Sequence, residues 1–165
     1  IGRRQPLAQD LRQVIGAIRI SADLERVGDL GKNIAKRAIA IIGASHPVSL
    51  NRGLESLAEL ALLQLKDVLD AYASGDVTRL AQMRDRDEQI DLMYTSLFRQ
   101  LLTFMMENAR MITSGTHLLF CAKNIERIGD HATNIAETIY YVQTGRQMAP
   151  DRPQGDLTPS IVIRK

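Results

Sequence analysis

Apolar residues recur along the chain at spacings of three and four, the period of helices buried on one face. The first such run opens at Pro6, suited to a first helical position, and stops at Gly43 and Pro47. It predicts a helix of roughly 37 residues, about 55 Å long at 1.5 Å per residue. The segment HPVSLNRG, from His46 to Gly53, reads as a loop. Leu54, Leu57, Leu60, Ala61, Leu65, Val68 and Leu69 then carry a second helix to Ser74 and Gly75. Asp76 is placed to cap a third, whose apolar positions are Leu80, Met83, Ile90, Tyr94, Leu97, Leu101 and Met105. A fourth runs from the neighbourhood of Arg110 to Gln143 and ends at Thr144-Gly145. The tail holds Pro150, Pro153 and Pro159 and reads as irregular. The predicted class is all-α.

The first and fourth helices share a sequence. DLERVGDLGKNIA begins at Asp23 and NIERIGDHATNIA at Asn124, an offset of 101 residues. Glu25, Arg26, Gly28, Asp29, Asn33, Ile34 and Ala35 are repeated as Glu126, Arg127, Gly129, Asp130, Asn134, Ile135 and Ala136. So dense a match marks an internal repeat, and the repeat sets the domain reading. Residues 1–49 are expected to form the last helix of a first three-helix unit, 50–146 a complete second unit of up-and-down helices, and 147–165 the tail. The two helices that would precede Pro6 in the first unit are missing from this reading, and the first residue is Ile1 rather than Met. Leu11, Ile15 and Ile18 lie on one face of the first helix and Leu24, Val27, Ile34 and Ile41 on another. A second copy or a further segment is expected to cover the spare face, so the chain is expected to associate rather than stay monomeric.

Composition supports this picture. Of 165 residues 45% are hydrophobic but only 4% aromatic, so Ala, Leu and Ile do the packing, a mix that favours helix over sheet. The net charge of +2 is too small to argue for nucleic acid. No apolar run approaches the ~20 residues that span a bilayer, and no signal peptide is visible. The single cysteine, Cys121, excludes an internal disulfide and suits a reducing compartment; it aligns with Ile20 on the buried side.

The candidate chemistry is a row of oxygen ligands. On the first helix Glu25, Asp29 and Asn33 fall in line opposite Leu24, Val27, Ile34, Ala38 and Ile41. On the fourth, Glu126, Asp130, Asn134 and Glu137 oppose Ile125, Ile128, Ala132, Ile135 and Ile139. Such a face can simply be solvated, with Arg26 and Arg127 as counter-charges. Against that, like charges at i,i+4 repel, so a twice-used Glu-Asp pair invites a cation. Gly28 and Gly129 inside long helices each cost roughly 1 kcal/mol relative to Ala, which suggests close backbone approach. The third helix adds Asp87 and Asp91, and Asp87 falls within the apolar stripe, where it needs Arg84, Arg86 or a shared metal as partner. An all-carboxylate site selects hard cations such as Mg²⁺, Mn²⁺, Ca²⁺ or ferric iron. No Glu-x-x-His occurs, so the di-iron oxidase pattern is not met, and no phosphate loop or nucleophile triad is present. His46 and His117 are isolated; His131 adjoins Asp130 but turns about 100° from it and reads as a surface residue.

At QPLAQDLR, DLERVGDLGKNIA, RDEQID and NIERIGDHATNIA the chain resembles the PhoU family, accessory regulators of bacterial phosphate uptake and signalling. The resemblance implies tandem three-helix bundles related by an approximate twofold axis. It implies metal clusters, often iron or zinc, with manganese or magnesium as alternatives, at Glu25 and Asp29 in the first unit. In the second it implies them at Asp87, Asp91, Glu126 and Asp130, with Asn33 and Asn134 as lesser ligands. It implies no catalysis. It implies a cytoplasmic adaptor, peripheral to the membrane at most, that restrains the phosphate-starvation response. That adaptor would contact a sensor histidine kinase and the ATPase subunit of a phosphate ABC transporter, and would self-associate as a homodimer. A carboxylate-bridged metalloenzyme and a plain helical interaction module without metal are the competing readings.

Overall fold

The computed structural model describes residues 4–44 and 47–148. Four helices occupy most of them: α1 (Arg4–Ala40), α2 (Val48–Ser74), α3 (Met83–Glu107) and α4 (Ile112–Thr144). Two 3₁₀ turns, Thr78–Gln82 and Ala109–Met111, precede α3 and α4. The fold is all-α, with no strand among the described residues. Helix α4 is its axis: α1, α2 and α3 all pack on it, and α2 and α3 also pack on each other.

The helix ends follow from local chemistry. Gly75 and Gly145 adopt left-handed φ values of 71° and 69°, and their N–H groups close the last turns on Ala71 O and Tyr141 O. Glycine takes that conformation without a Cβ penalty, so both expected stops are where the sequence puts them. The starts differ from expectation. Residues Val48 to Gly53 are helix, not loop, and Pro47 (φ −58°) is the N-cap of α2 rather than only a terminator. Leu50, buried at 4% exposure, anchors that first turn, and Gly53 is tolerated because a Cβ there would sit 3.0 Å from Leu97 Cδ1. Asp76 caps the 3₁₀ turn rather than α3: its Oδ1 accepts from Thr78 N at 2.9 Å and Oγ1 at 2.6 Å. Before α4, Asn108 Oδ1 accepts from Arg110 N at 3.2 Å, so the α-helix proper begins two residues later than expected.

The core has two connected lobes along α4. One joins Leu57, Ile90, Leu97 and Leu101 to Ala122 and Ile125; the other joins Val68, Leu80 and Met83 to Ile135 and Ile139. Helix α1 enters both through Ile20 and Leu30, with Leu24, Val27, Ile34 and Ile41 half-buried beside them. Ala38, expected in that stripe, is exposed. Leu11 (60% exposed), Ile15 and Ile18 (64%) form the uncovered face that the two-faced pattern anticipated. Cys121 is buried, as expected. The tail beyond Met148 and His46 lie outside the described residues.

Candidate functional site

The second copy of the motif is roofed by α2 and α3. Glu126 on α4 is only 4% exposed. Lys123, one turn earlier, donates from Nζ to its Oε1 at 2.7 Å and stands 4.9 Å from the Tyr94 ring centre. The second carboxylate oxygen, Oε2, is buried with no hydrogen-bond partner. Burial pushes the Glu126 carboxyl up to about 7, the Lys123 bond opposes this, and the charges of Asp130 and Asp91 push it up further. Three acids from two helices thus share one field with the Lys123 ammonium. Such a group can take up a proton or a cation near neutral pH.

Asp87 has a hydrogen-bond partner that was not among those expected. Thr133 Oγ1 donates to its Oδ1 at 2.8 Å, while Arg86, one of its two expected partners, pairs at 2.5 Å with Asp67 on α2. Thr133 in turn accepts from Gln64 Nε2 at 2.8 Å, and the same amide reaches Gly129 O at 3.3 Å. Gln64, with no exposed surface, therefore ties α2 to α4, and Thr133 ties α4 to α3. Sequence reasoning missed both residues. The signal for Gln64 was a polar residue in the stripe of Ala61 and Val68. Thr133 was hidden because the repeat places Lys32 at the equivalent position.

The first copy has no such roof. Glu25, Asp29 and Asn33 are exposed, and among the described residues Asp29 pairs with Lys32, at 3.5 Å, in a contact open to water. A Cβ at Gly28 would meet nothing within 4 Å, whereas at Gly129 it would stand 3.1 Å from Ile90 Cδ1. Close backbone approach is thus correct for Gly129 and absent, among the described residues, for Gly28. His131 is not a surface residue: Nδ1 lies 2.8 Å from Asp23 Oδ1, both side chains are less than one-fifth exposed, and the pair links α4 to α1.

The expected metal can be tested against these residues. Oxygen donors with one orphaned, buried Oε2 suit a hard cation in kind. In arrangement they do not form a ready centre: among the described residues no three His, Cys, Asp or Glu side chains are grouped to hold a metal ion. Asn134 is half-buried on the same helix, and Asn33 is exposed.

A bundle whose axis is one copy of an acidic helix, with the other copy laid along it, defines a repeat-built, all-helical class of protein. This chain belongs to the PhoU family: the family model described as "PhoU domain" matches residues 1–38 and 54–139. It is 65% identical over 161 residues to the phosphate-specific transport system accessory protein PhoU homolog of Rhizobium meliloti (strain 1021), covering 98% of this chain and 68% of that one. It is 49% identical over 157 residues to the homolog of Caulobacter vibrioides (strain NA1000 / CB15N), covering 95% and 68%. The crystal structure of PhoU from Pseudomonas aeruginosa superposes with a TM-score of 0.77 at 35% identity, over 88% of this chain and 69% of that one. The phosphate transport system regulatory protein PhoU from Streptococcus pneumoniae matches with a TM-score of 0.77 at 30% identity, over 86% and 66%. The chain thus spans about two thirds of the length of these relatives.

Proposed function

We propose that the chain acts as a non-enzymatic regulator of a phosphate transport system, an adaptor that restrains the phosphate-starvation response. The observation that carries this is its 65% identity, along nearly its whole length, to a protein named as a transport-system accessory protein. Its partners are the transporter's ATPase subunit and a sensor histidine kinase, met in the cytoplasm at the membrane surface. No described helix is long and apolar enough to cross a membrane, which is compatible with a peripheral role. The uncovered Leu11, Ile15 and Ile18 face supports self-association. The test is co-purification with kinase and ATPase beside a phosphate-responsive reporter in phosphate-rich medium. Loss of both interactions is expected to switch the reporter on. Normal repression by a variant that binds neither partner would refute the adaptor reading.

Metal binding is part of the proposal, with iron, zinc, manganese or magnesium drawn by the carboxylates of Asp87, Asp91, Glu126 and Asp130. Glu25 and Asp29 form the weaker first site, and Asn33 and Asn134 are lesser ligands. Metal analysis should show most of the metal lost from Asp87→Ala with Asp130→Ala. Unchanged stoichiometry would dismiss the site. The metal-free module remains the second reading, favoured by the Lys123–Glu126 and Thr133–Asp87 bonds, which already answer two of the acids.

A further inference from the structure

We infer that the groove between the first half of α1 and the last half of α4 binds a phosphoryl-bearing anion. Its volume is about 820 Å³, within the range of small-molecule sites. Arg12 and Arg19 line it from α1, two turns apart on one face, and Arg84 from the start of α3. Across from them stand Asn134, Thr138 and Tyr141, successive turns of α4 that present an amide and two hydroxyls.

Among the described residues neither Arg12 nor Arg19 enters an ion pair. Arg12 Nε is buried and without a partner, an arrangement that costs free energy until an acceptor arrives. Two carboxylates also face the groove. That of Asp23 is engaged by His131 at 2.8 Å, and Glu137 is exposed to water. The last turn of α4, with Gly145 beside the Arg12 guanidinium, answers part of that charge through its carbonyl end but leaves Nε unmet.

Guanidinium groups match paired oxygens in a planar fork. Two of them on one wall, with hydroxyl and amide donors opposite, exceed what a single carboxylate can accept and suit a group with three or more outer oxygens. The volume admits more than one phosphoryl group, so pyrophosphate and inorganic phosphate are the probes.

Calorimetric titration of the chain at low ionic strength is the test. Pyrophosphate or phosphate should bind, and Arg19→Gln should weaken that binding at least about tenfold. Arg19 is exposed, so its variant should melt as the wild type does without ligand. Arg12→Gln with Arg19→Gln should abolish binding, while Arg110→Gln, exposed and outside the groove, should bind normally. Tighter binding of pyrophosphate would support a site for condensed or organic phosphates, and equal binding a site for free phosphate. Absence of binding to both anions would overturn the inference. So would an unchanged Arg19→Gln variant, an equal loss in Arg110→Gln, or citrate binding as well as pyrophosphate.

Discussion

Replacing Glu126 by Gln in metal-free buffer should stabilise the protein at alkaline pH and do little at acid pH. The Glu126 carboxyl is raised from 4.5 to about 7 on folding, chiefly by burial. A group whose pKa is higher when folded binds more protons in the folded state, so stability falls as pH rises between those values. At about 1.36 kcal/mol for each pH unit separating the folded and unfolded values, the loss between pH 4.5 and pH 8 comes to about 3 kcal/mol. That figure is already net of the Lys123 bond, which holds the carboxyl below where burial alone would put it. Gln cannot ionise. Its carbonyl can still accept from Lys123.

The measurement is urea or thermal unfolding of the wild type and Glu126→Gln, with a chelator present, at intervals from pH 4.5 to pH 8. Groups remote from Glu126 titrate alike in both proteins and cancel in the difference; Asp91, Asp130 and Lys123, which interact with it, are part of the measured effect. The two stabilities should coincide at the acid end and separate by about 3 kcal/mol at the alkaline end, or about 6–12 °C in melting temperature for a chain of this size. A flat difference curve would show that Glu126 is as well solvated folded as unfolded. A curve of opposite sign would show that Lys123 wins over burial and over Asp91 and Asp130. Either result refutes the reasoning.

Gly28→Ala should stabilise by about 0.5–1 kcal/mol, since the new methyl meets nothing and the helix gains propensity. Gly129→Ala should fall at least about 1 kcal/mol below it, because its methyl presses on Ile90; equal values in denaturant titrations would refute the close approach of α3. Gln64→Ala should cost about 2–4 kcal/mol, combining a core cavity with a lost link to Thr133 and Gly129 O. A loss below about 0.5 kcal/mol on urea unfolding would mean that the buried amide holds nothing.

What the sequence made legible were features set by neighbours in the chain. Spacings of three and four located all four helices, and glycines free to take positive φ marked the ends at Gly75 and Gly145. The repeat announced that α1 and α4 are one kind of helix. Features set by distant partners were not legible. Val48 to Gly53 looks like a loop because Asn51 and Gly53 are poor helix formers; Leu50 makes it helical by packing into a core about which the local pattern says nothing. His131 was turned away from Asp130 correctly, but its partner, Asp23, lies 108 residues away. Arg86, one of the partners that sequence proximity offers Asp87, crosses to Asp67 on α2 instead.

The motif itself is the sharpest case. Glu25 and Glu126 have closely similar neighbours in sequence, yet one is exposed and the other is a buried acid whose carboxyl burial pushes up to about 7. Gly28 faces open space where Gly129 faces Ile90. The repeated residues therefore supply a groove-faced helix with carboxylates ready to be covered, and α2 and α3 supply the field that changes their chemistry. The chemistry belongs to the covered helix, so the proton on Glu126 reports on how firmly α2 and α3 sit on α4. Protonation of Glu126 is thereby coupled to the packing of the bundle around it.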